Sequence, residues 1–390
     1  MNNQELELYI HIPFCVKKCN YCDFLSFTSE PFTRELYTNA LCSEIEYKGR
    51  KLNDRIVTSI YIGGGTPSVL ETKYISKIVD VINDTFTINE ETEFTIECNP
   101  GTVSRESLNV YKILGINRLS FGVQSSNDDE LKLLGRIHDY SSFINSLDYA
   151  LRAGFINISA DIMYGLPHQT IKTLRKTLSD VSRFNLKHLS VYSLIIEENT
   201  PFYNEYYDDY VTQSNGNLTS FLPSEDELSE MTDFVHAYLN NRGYKQYEIS
   251  NYAKKGYECR HNIGYWKRKE YLGVGLGAAS LIDEVRYKNI TDIETYIKNW
   301  TLTNPINEYD EVTTLTLDER MAEFMMLGLR MTDGVSSTDF FNAFNHPLGN
   351  VYSNQIASLQ DKGLIIDDGG IIKPTAKGLD LQNVIAREFV

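Results

Sequence analysis

Three cysteines near the N-terminus have the spacing of a sulfur-ligated metal centre. Cys15, Cys19 and Cys22 form a C-x3-C-x2-C run in which the last cysteine follows an aromatic residue. Thiolates at this spacing can bind one face of a cubane iron–sulfur cluster, which normally takes four cysteine ligands. Because only three ligands are local, one iron is left open and can bind a small molecule. The run therefore predicts a [4Fe-4S] cluster with an open coordination position.

The alternatives to a cluster are disulfides, zinc and chance. Disulfides are disfavoured because the chain has six cysteines in 390 residues and no signal peptide. Zinc would require a fourth cysteine or histidine in paired spacing, and His11 lies in a strand-like run that suits it poorly to that role. Cys42 and Cys98 are interpreted as core residues, since free cysteine is among the most buried residue types. Cys259 and His261 lie in a more polar segment, where a ligand role and a packed or capping histidine are equal alternatives.

The charge and the hydropathy pattern exclude several classes of function. The formal net charge is −16, whereas binding to nucleic acid or to anionic lipid requires a basic surface. No apolar stretch is long enough to span a membrane, and the acidic N-terminal residues lack the apolar core of a signal peptide. We therefore expect a cytoplasmic protein in a reducing compartment, which suits an oxygen-sensitive cluster.

Six short apolar runs alternate with longer segments of helical periodicity over residues 1–200. The predicted strands are Leu6–Ile12, Thr58–Ile62, Glu93–Cys98, Arg118–Val123, Asn157–Met163 and His188–Leu194. The predicted helices are Thr33–Lys51, Lys73–Phe86, Arg105–Gly115, Asp128–Leu134, Tyr140–Gly154 and Ile171–Phe184. Apolar strands that alternate with helices are typical of a parallel sheet covered by helices. The predicted fold class is α/β, an incomplete (β/α)6 TIM-like barrel.

Polar and glycine-rich residues follow the carboxyl ends of these strands, where barrels of this kind carry their functional groups. The second strand leads into Gly63–Pro67, whose glycines let the backbone approach a ligand closely. Glu97 ends the third strand, and a carboxylate in an apolar strand needs a partner such as a ligand ammonium or, alternatively, Arg118. Asp161 on the fifth strand could accept a hydrogen bond from a ribose hydroxyl. Arg136 could bind a carboxylate, the alternative being a surface arginine.

The alternation stops after residue 200. We divide the chain into residues 1–200, 201–310 and 311–390. The second region contains a predicted helix at Glu225–Arg242 and a short strand at Gln246–Ile249, and its tyrosine-rich Tyr203–Tyr210 is interpreted as a solvated loop rather than a lid over a flat ligand. The third region combines helices with a hairpin and predicts an α+β winged-helix-like domain. Its six Lys and Arg against eleven Asp and Glu favour a cap or partner-docking module and no binding to nucleic acid.

Five motifs together resemble one known family. They are Tyr9–Cys15, Gly63–Pro67, Ser120–Gln124, Leu134–His138 and Asp161–Pro167. In combination they are similar to the radical-SAM family of oxygen-independent coproporphyrinogen oxidases, and the similarity extends over nearly the whole chain. The resemblance implies a radical-SAM barrel with a [4Fe-4S] cluster whose open iron binds S-adenosylmethionine (SAM).

Three features favour the heme-chaperone branch of this family. The oxidases carry a further cysteine two residues after the third ligand, where this chain has Phe24, and an extension before the cluster, whereas Cys15 here is almost at the start. The run Arg260–Trp266 contains the pattern His-Asn-x-x-Tyr-Trp, which is similar to the hallmark of the chaperones. The resemblance therefore implies a protein that binds heme and delivers it to heme-accepting proteins such as apo-cytochromes of respiration. The alternative is an oxygen-independent coproporphyrinogen III dehydrogenase of porphyrin biosynthesis.

The resemblance also implies ligand contacts by motif position. Contacts to the cluster-bound SAM are implied for Tyr9, Gly64 and Glu97. Contacts to the second SAM of the oxidases are implied for Tyr21, Gly65, Thr66, Gln124, Arg136 and Asp161. His261 is the candidate axial ligand of heme, with Cys259 as the fallback, because neutral imidazole is a common heme donor. Cleavage of SAM, peripheral contact with membrane-bound targets and a cluster-dependent dimer stay open.

Overall fold

The computed structural model describes residues 5–390, and its N-terminal half is a row of six parallel strands, each followed by at least one helix. The strands are β1 (Glu5–Ile12), β2 (Ile56–Gly64), β3 (Thr87–Cys98), β4 (Arg118–Gln124), β5 (Asn157–Tyr164) and β6 (His188–Ser193). They pair in chain order, and each pairing is parallel. The predicted incomplete (β/α)6 barrel is confirmed, and each of its predicted strands overlaps an observed one.

Helices cover the outer face of this sheet. They are α1 (Pro31–Gly49), α2 (Thr72–Thr85), α3 (Arg105–Ile113), α4 (Asp128–Leu133), α5 (Tyr140–Arg152) and α6 (Ile171–Ser182). All of the helices predicted for this region overlap observed ones. Several begin at caps that the sequence supplies, since the side chains of Ser104, Asp139 and Thr170 each accept a hydrogen bond from a backbone N–H in the first turn.

Strand β1 shows how the sequence separates the two faces of the barrel. Its apolar residues, at alternate positions from Leu6 to Ile12, are fully buried in the core shared with the helices. The intervening Glu7, Tyr9 and His11 face the other side, because successive side chains of a strand point to opposite faces. The interior face of the barrel therefore carries polar and aromatic groups, and the outer face carries the apolar core.

The extension after β6 lengthens the sheet at both edges. It contains α7 (Pro201–Ser214), α8 (Glu225–Asn240), β7 (Lys245–Gln246), β8 (Asn251–Ala253), α9 (Arg260–Trp266), β9 (Tyr271–Val274), β10 (Ala279–Ile282), β11 (Val285–Asn289), α10 (Ile293–Thr301) and β12 (Tyr309–Thr314). The strand order is β12-β11-β10-β9-β1-β2-β3-β4-β5-β6-β8-β7. Strand β9 pairs with β1 in parallel, whereas β8 pairs with β6 in antiparallel. The barrel is therefore extended rather than closed.

Two expectations for this extension are wrong in detail. Tyr203–Tyr210 lies in α7 rather than in a loop, because Tyr206 packs into an apolar cluster next to the cysteine loop. The strand predicted at Gln246–Ile249 stops after its first residue. There the Glu248 carboxylate accepts a hydrogen bond from the Ser250 N–H at 2.9 Å, which turns the chain.

The C-terminal region has a core of its own. It contains α11 (Leu317–Gly328), β13 (Val335–Ser336), α12 (Ser337–Phe344), α13 (Leu348–Asp361), β14 (Ile365–Asp367), β15 (Ile371–Pro374), α14 (Ala376–Asp380) and α15 (Gln382–Arg387). Its small antiparallel sheet has the order β13-β15-β14, and buried residues such as Met325, Phe340 and Leu359 form a cluster separate from the barrel core. This arrangement agrees with the predicted α+β winged-helix-like domain, while the exact three-part division of the chain stays a prediction. Within residues 5–390, no helix is both long and apolar enough to cross a membrane.

Candidate functional site

A cavity of about 390 Å³ opens at the carboxyl ends of the parallel strands, and we call it the cysteine cavity. Its wall includes the three predicted cluster ligands, Cys15, Cys19 and Cys22. It also includes most of the residues predicted to contact SAM, namely Tyr21, Gly64, Gly65, Thr66, Glu97, Gln124, Arg136 and Asp161. These side chains come from separate loops and strands, and they meet because parallel strands end at the same edge of a sheet.

The cysteine loop is fixed by backbone hydrogen bonds on both sides. The Cys15 N–H donates to the Phe27 carbonyl at 3.0 Å, and the Asn20 N–H donates to the Leu134 carbonyl at 3.0 Å. All six cysteines, which lie within the described part of the chain, are free thiols. Burial raises the pKa of the Cys22 thiol. A metal at this loop would offset that effect, because a coordinated thiol is deprotonated.

The donor set of the cysteine loop fits an iron–sulfur cluster. Cys15, Cys19 and Cys22 lie on one short loop and all three line the cavity. In a cubane cluster each cysteine binds a different iron, so three thiols from one loop can hold three of the four irons.

The glycine run at the end of β2 is required by close packing. A Cβ atom on Gly64, whose φ is +114°, would lie 2.6 Å from the His11 ring. A Cβ atom on Gly65 would lie 2.9 Å from the Phe14 carbonyl oxygen and 3.1 Å from the Cys15 sulfur. The cysteine loop can therefore pack on this turn only because the turn has no side chains there.

Glu97 is a half-buried carboxylate that two donors hold in place. The Tyr61 hydroxyl donates to Oε1 at 2.9 Å, and the Gly64 N–H donates to Oε2 at 3.1 Å. Removal from bulk water raises the pKa of Glu97 to about 7, and the two hydrogen bonds only partly oppose this rise. A carboxylate in such a place gains most from a cationic or strongly donating partner. The amino group of an amino-acid ligand would supply that partner.

Asp161 supplies a second carboxylate to the same wall. It accepts a hydrogen bond from the Ser120 hydroxyl at 3.2 Å. Burial raises the pKa of Asp161, while a hydrogen bond from Ser190 and the charge of Arg118 lower it. A carboxylate with only hydroxyl partners has lone pairs left for further donors. Asp161 can therefore accept a hydrogen bond from a hydroxyl group of a ligand.

Gln124 and Arg136 bring polar atoms that the protein leaves partly unused. Gln124 has a φ of 60°, and its buried Oε1 has no partner among residues 5–390. Arg136 donates to the Gly122 carbonyl at 2.8 Å and lies 3.6 Å from the Cys19 sulfur, yet its Nε is also unpartnered in the described chain. Buried polar atoms without partners are costly. A polar ligand would satisfy them, so these residues fit SAM.

Tyr9 is the predicted SAM contact that does not line the cysteine cavity. Its hydroxyl donates to His11 Nδ1 at 3.0 Å, and His11 Nε2 donates to the Leu25 carbonyl at 2.9 Å. Its ring stacks on Tyr61 with 6.4 Å between the ring centroids. Tyr9 thus supports both the cysteine loop and the partner of Glu97 from behind. A direct contact between Tyr9 and SAM stays a prediction.

His261, the predicted heme ligand, lies behind Tyr61 and is 1% exposed. Its Nδ1 is 2.8 Å from the Ser59 hydroxyl, and its Nε2 is 3.0 Å from the Tyr265 hydroxyl. Both ring nitrogens are therefore engaged within the protein, and a bond to iron would have to break one of these contacts. Cys259 is fully buried as well. The structure brings neither residue to the cysteine cavity, and their heme role stays a prediction.

Sequence reasoning missed three residues of the cavity region. Tyr61 holds Glu97, the Asn99 side chain accepts a hydrogen bond from Arg136, and Tyr192 lies in the wall. Tyr61 and Tyr192 lie in strands whose sequences predict apolar core residues. The alternation of strand residues was the signal that could have found them, since it places both on the interior face of the barrel.

Comparison with known families and structures defines the class of protein. Residues 9–181 match the model of the Radical SAM superfamily, and residues 315–381 match that of the HemN C-terminal domain. The coproporphyrinogen III oxidase HemN of Escherichia coli, described as a radical SAM enzyme, matches with a TM-score of 0.83 and 24% identity over 99% of this chain and 90% of its own. This likeness shows the fold, and together with the cysteine cavity it defines a radical SAM barrel protein.

Several curated relatives are more similar in sequence. The heme chaperone HemW of Bacillus subtilis is 37% identical over 98% of this chain and 98% of its own. HemW of Lactococcus lactis is 36% identical over 98% of this chain and 96% of its own, and HemW of Escherichia coli is 37% identical over 70% and 69%. The chain therefore belongs to the HemW-like family of radical SAM proteins.

Proposed function

We propose that this chain is a heme chaperone, which binds heme, a [4Fe-4S] cluster and SAM and delivers the heme to proteins such as respiratory cytochromes. The relatives named heme chaperone HemW align with nearly all of it. The observation that carries the proposal is the cysteine cavity, whose wall gathers the three thiols and eight of the predicted SAM contacts. Sequence similarity to the heme chaperones supports heme as the cargo, and the cysteine cavity supports binding of the cluster and SAM.

The residues of the cysteine cavity divide the work of holding these groups. Cys15, Cys19 and Cys22 would hold the cluster, which supplies one-electron reduction of SAM when both are bound. Glu97 would accept a hydrogen bond from the amino group of the cluster-bound SAM. Arg136 would donate to a carboxylate in the second SAM site that the family resemblance implies. The hydrogen bonds that Glu97 already accepts fix its orientation before the ligand arrives, which lowers the entropic cost of binding.

The mouth of the cysteine cavity has an exposed apolar rim, formed by Val16, Phe24, Ile137 and Ile195. Their exposed fractions are 52%, 68%, 46% and 64%. Exposed apolar side chains that gather in one place are typical of an interaction surface. The rim supports contact with an acceptor protein, including a membrane-bound one, and a dimer that depends on the cluster. Size-exclusion chromatography with the cluster present and after its removal measures whether this dimer forms.

Free thiols support a reducing location such as the cytoplasm.

The test is anaerobic reconstitution followed by heme titration and heme transfer. Iron and sulfide are counted, the absorption spectrum is recorded with heme, and the loaded protein is mixed with an apo-cytochrome. We expect a cluster, a Soret band that saturates with heme, and transfer of heme to the acceptor. The same preparation is then incubated with coproporphyrinogen III, SAM and a reductant.

Each outcome of this experiment decides between two functions. A saturable Soret band with transfer, and no carbon dioxide from coproporphyrinogen, supports the chaperone. Release of carbon dioxide with SAM cleavage would instead assign a coproporphyrinogen III dehydrogenase. Failure of the unaltered chain to bind heme contradicts the proposal directly.

A further inference from the structure

A second cavity, of about 320 Å³, lies on the other side of Tyr9, and we call it the aromatic cavity. Four aromatic side chains and two guanidinium groups line it, those of Tyr9, Tyr265, Trp266, Tyr271, Arg268 and Arg286. Helix α9 supplies Tyr265 and Trp266, while the sheet extension supplies Tyr271 and Arg286. Helix α11 of the C-terminal region closes one side. Nearly all of the lining side chains are half-buried, so the cavity can be reached from solvent.

Trp266, in the wall of the aromatic cavity, has a buried hydrogen-bond donor. Its Nε1 has no acceptor among the residues that the structure describes. The Arg330 guanidinium lies over the indole at 4.5 Å from the ring centroid. A buried donor without an acceptor is costly, so a shift of the indole that brings Nε1 to an acceptor atom of a ligand would be favourable.

Two arginines, each paired with carboxylates, lie at one edge of the aromatic cavity. Glu323 is shared between them, accepting from Arg268 at 3.0 Å and from Arg286 at 2.7 Å. Arg268 is 8% exposed and is also paired with Glu284, whereas the Arg286 side chain is 40% exposed. Because a guanidinium group has five N–H donors in a fork, Arg286 keeps donors for the carboxylate of a ligand.

Two sets of contacts join the aromatic cavity to the cysteine cavity. In the first, the Tyr265 hydroxyl is 3.0 Å from His261 Nε2, and the His261 ring stacks on Tyr61 with centroids 5.1 Å apart. Tyr61 in turn donates to Glu97. In the second, the Tyr9 hydroxyl donates to His11, and His11 donates to the Leu25 carbonyl next to the cysteine loop. An occupant of the aromatic cavity therefore touches residues that hold the SAM side of the barrel.

We propose that the aromatic cavity receives one edge of heme and that Arg286 binds a heme carboxylate. This placement rests on the proposed function, in which heme is the cargo. Aromatic side chains in the wall can stack against a planar macrocycle, and the remaining N–H groups of Arg286 can donate hydrogen bonds to its carboxylates. A cavity of about 320 Å³ admits an edge rather than the whole macrocycle. The remainder of the heme stays exposed, which a carrier needs in order to hand its cargo on.

Filling the cavity tests this placement. Leu327 lines the aromatic cavity from α11, and Leu327→Trp in the full chain with its reconstituted cluster should lower the affinity for heme at least about tenfold. Leu317→Trp, at the 39% exposed start of the same helix, is the matched control. Iron content, sulfide content and SAM affinity should equal those of the unaltered chain in both variants. Equal heme affinity in the two variants would overturn the placement.

Removing the cation tests the carboxylate contact without adding bulk. The unaltered chain should bind heme about tenfold more tightly than heme dimethyl ester, and Arg286→Gln should bind the two equally. Lys288→Gln, on the same strand, should keep the difference. If the unaltered chain binds both ligands equally, Arg286 does not hold a carboxylate and the placement is wrong.

The two proposals fail in distinguishable ways. Absence of heme binding by the unaltered chain contradicts the chaperone function itself. Heme binding that Leu327→Trp and Arg286→Gln leave unchanged contradicts only the assignment of heme to the aromatic cavity.

Discussion

The cysteine cavity and the aromatic cavity are joined by contacts through Tyr9 and Tyr265, but they differ in how they are built. The first lies at the carboxyl ends of the barrel strands, and most of its functional residues lie in a strand or in the segment that directly follows one. The second lies between one continuous stretch, from α9 to β11, and two elements that are far from it in sequence, β1 and α11. The first collects thiols and carboxylates, while the second collects aromatic rings and guanidinium groups. The strand-end loops thus bring thiols and carboxylates together, whereas the interface between packed elements forms a cavity with the aromatic surface that we propose for heme.

The strongest way to separate the two cavities is to remove the cluster. Cys19→Ser should abolish the four-iron centre, because two remaining local thiols cannot replace three ligands. Iron and sulfide counts after anaerobic reconstitution measure this loss. Cys42→Ser, at a buried helical position, is the control and should retain full iron and sulfide. A normal cluster in Cys19→Ser would show that the cysteine loop is not the cluster site.

Glu97→Gln should weaken SAM binding about 10- to 100-fold, because a charged acceptor is replaced by a neutral one. The affinity of the unaltered protein should fall as the pH is lowered through about 7, where Glu97 becomes protonated. In Glu97→Gln that pH dependence should vanish. Isothermal titration from pH 6 to 8 measures both effects. Glu90→Gln, at an exposed position of the same strand, should behave as the unaltered chain, and a pH dependence that survives in Glu97→Gln would exclude Glu97 as its source.

Gly273→Ala should destabilise the part of the sheet extension that borders the aromatic cavity. A Cβ atom on Gly273 would lie 2.1 Å from the Ala279 carbonyl oxygen, so β9 and β10 would have to move apart. We expect the free energy of unfolding to fall by about 2 kcal/mol. Thermal or urea unfolding measures the change. Gly349→Ala is the matched control, because no atom lies within 4 Å of the added methyl group. Equal stability of the two variants would mean that the β9–β10 contact is not tightly packed.

His261→Gln should leave the position of the heme Soret band unchanged. Both imidazole nitrogens are engaged with Ser59 and Tyr265, so the residue is placed to position its neighbours rather than to bind iron. Absorption spectra of the heme-loaded variant measure the band. His346→Gln, at an exposed position of the C-terminal region, is the control. A shifted or lost band in His261→Gln alone would restore His261 as the iron ligand.

The pattern of apolar and polar residues along the chain was sufficient to predict the barrel and the place of the cysteine cavity. Apolar alternation predicted the six strands, and the polar residue at each strand end predicted the cavity wall. Both inferences are local, since a strand and the loop after it are read from one short stretch. Glu97 and Asp161 were found in this way. Tyr61 was missed, because its role depends on a neighbouring strand and not on its own segment.

The aromatic cavity could not be predicted in the same way. Most of its lining residues lie between Tyr265 and Arg286, but Tyr9 of β1 and Leu327 of α11 also contribute, and no local pattern indicates that these two join the others. The contacts of His261 could not be predicted from its segment either, because folding brings Ser59 and Tyr61 from a distant strand against its ring. Its role as a heme ligand stays a prediction.

The sequence by itself determined the fold class and the three-cysteine run, because these depend on residue type and on spacing within single βα units. The family motifs predicted most of the residues that line the cysteine cavity. Only the tertiary structure decided which residues face each other across strands, that both nitrogens of His261 are already engaged, and that a second cavity exists. The physical reason is that hydrogen-bond partners and enclosed space are properties of packed elements, and packing joins residues whose separation along the chain carries no pattern.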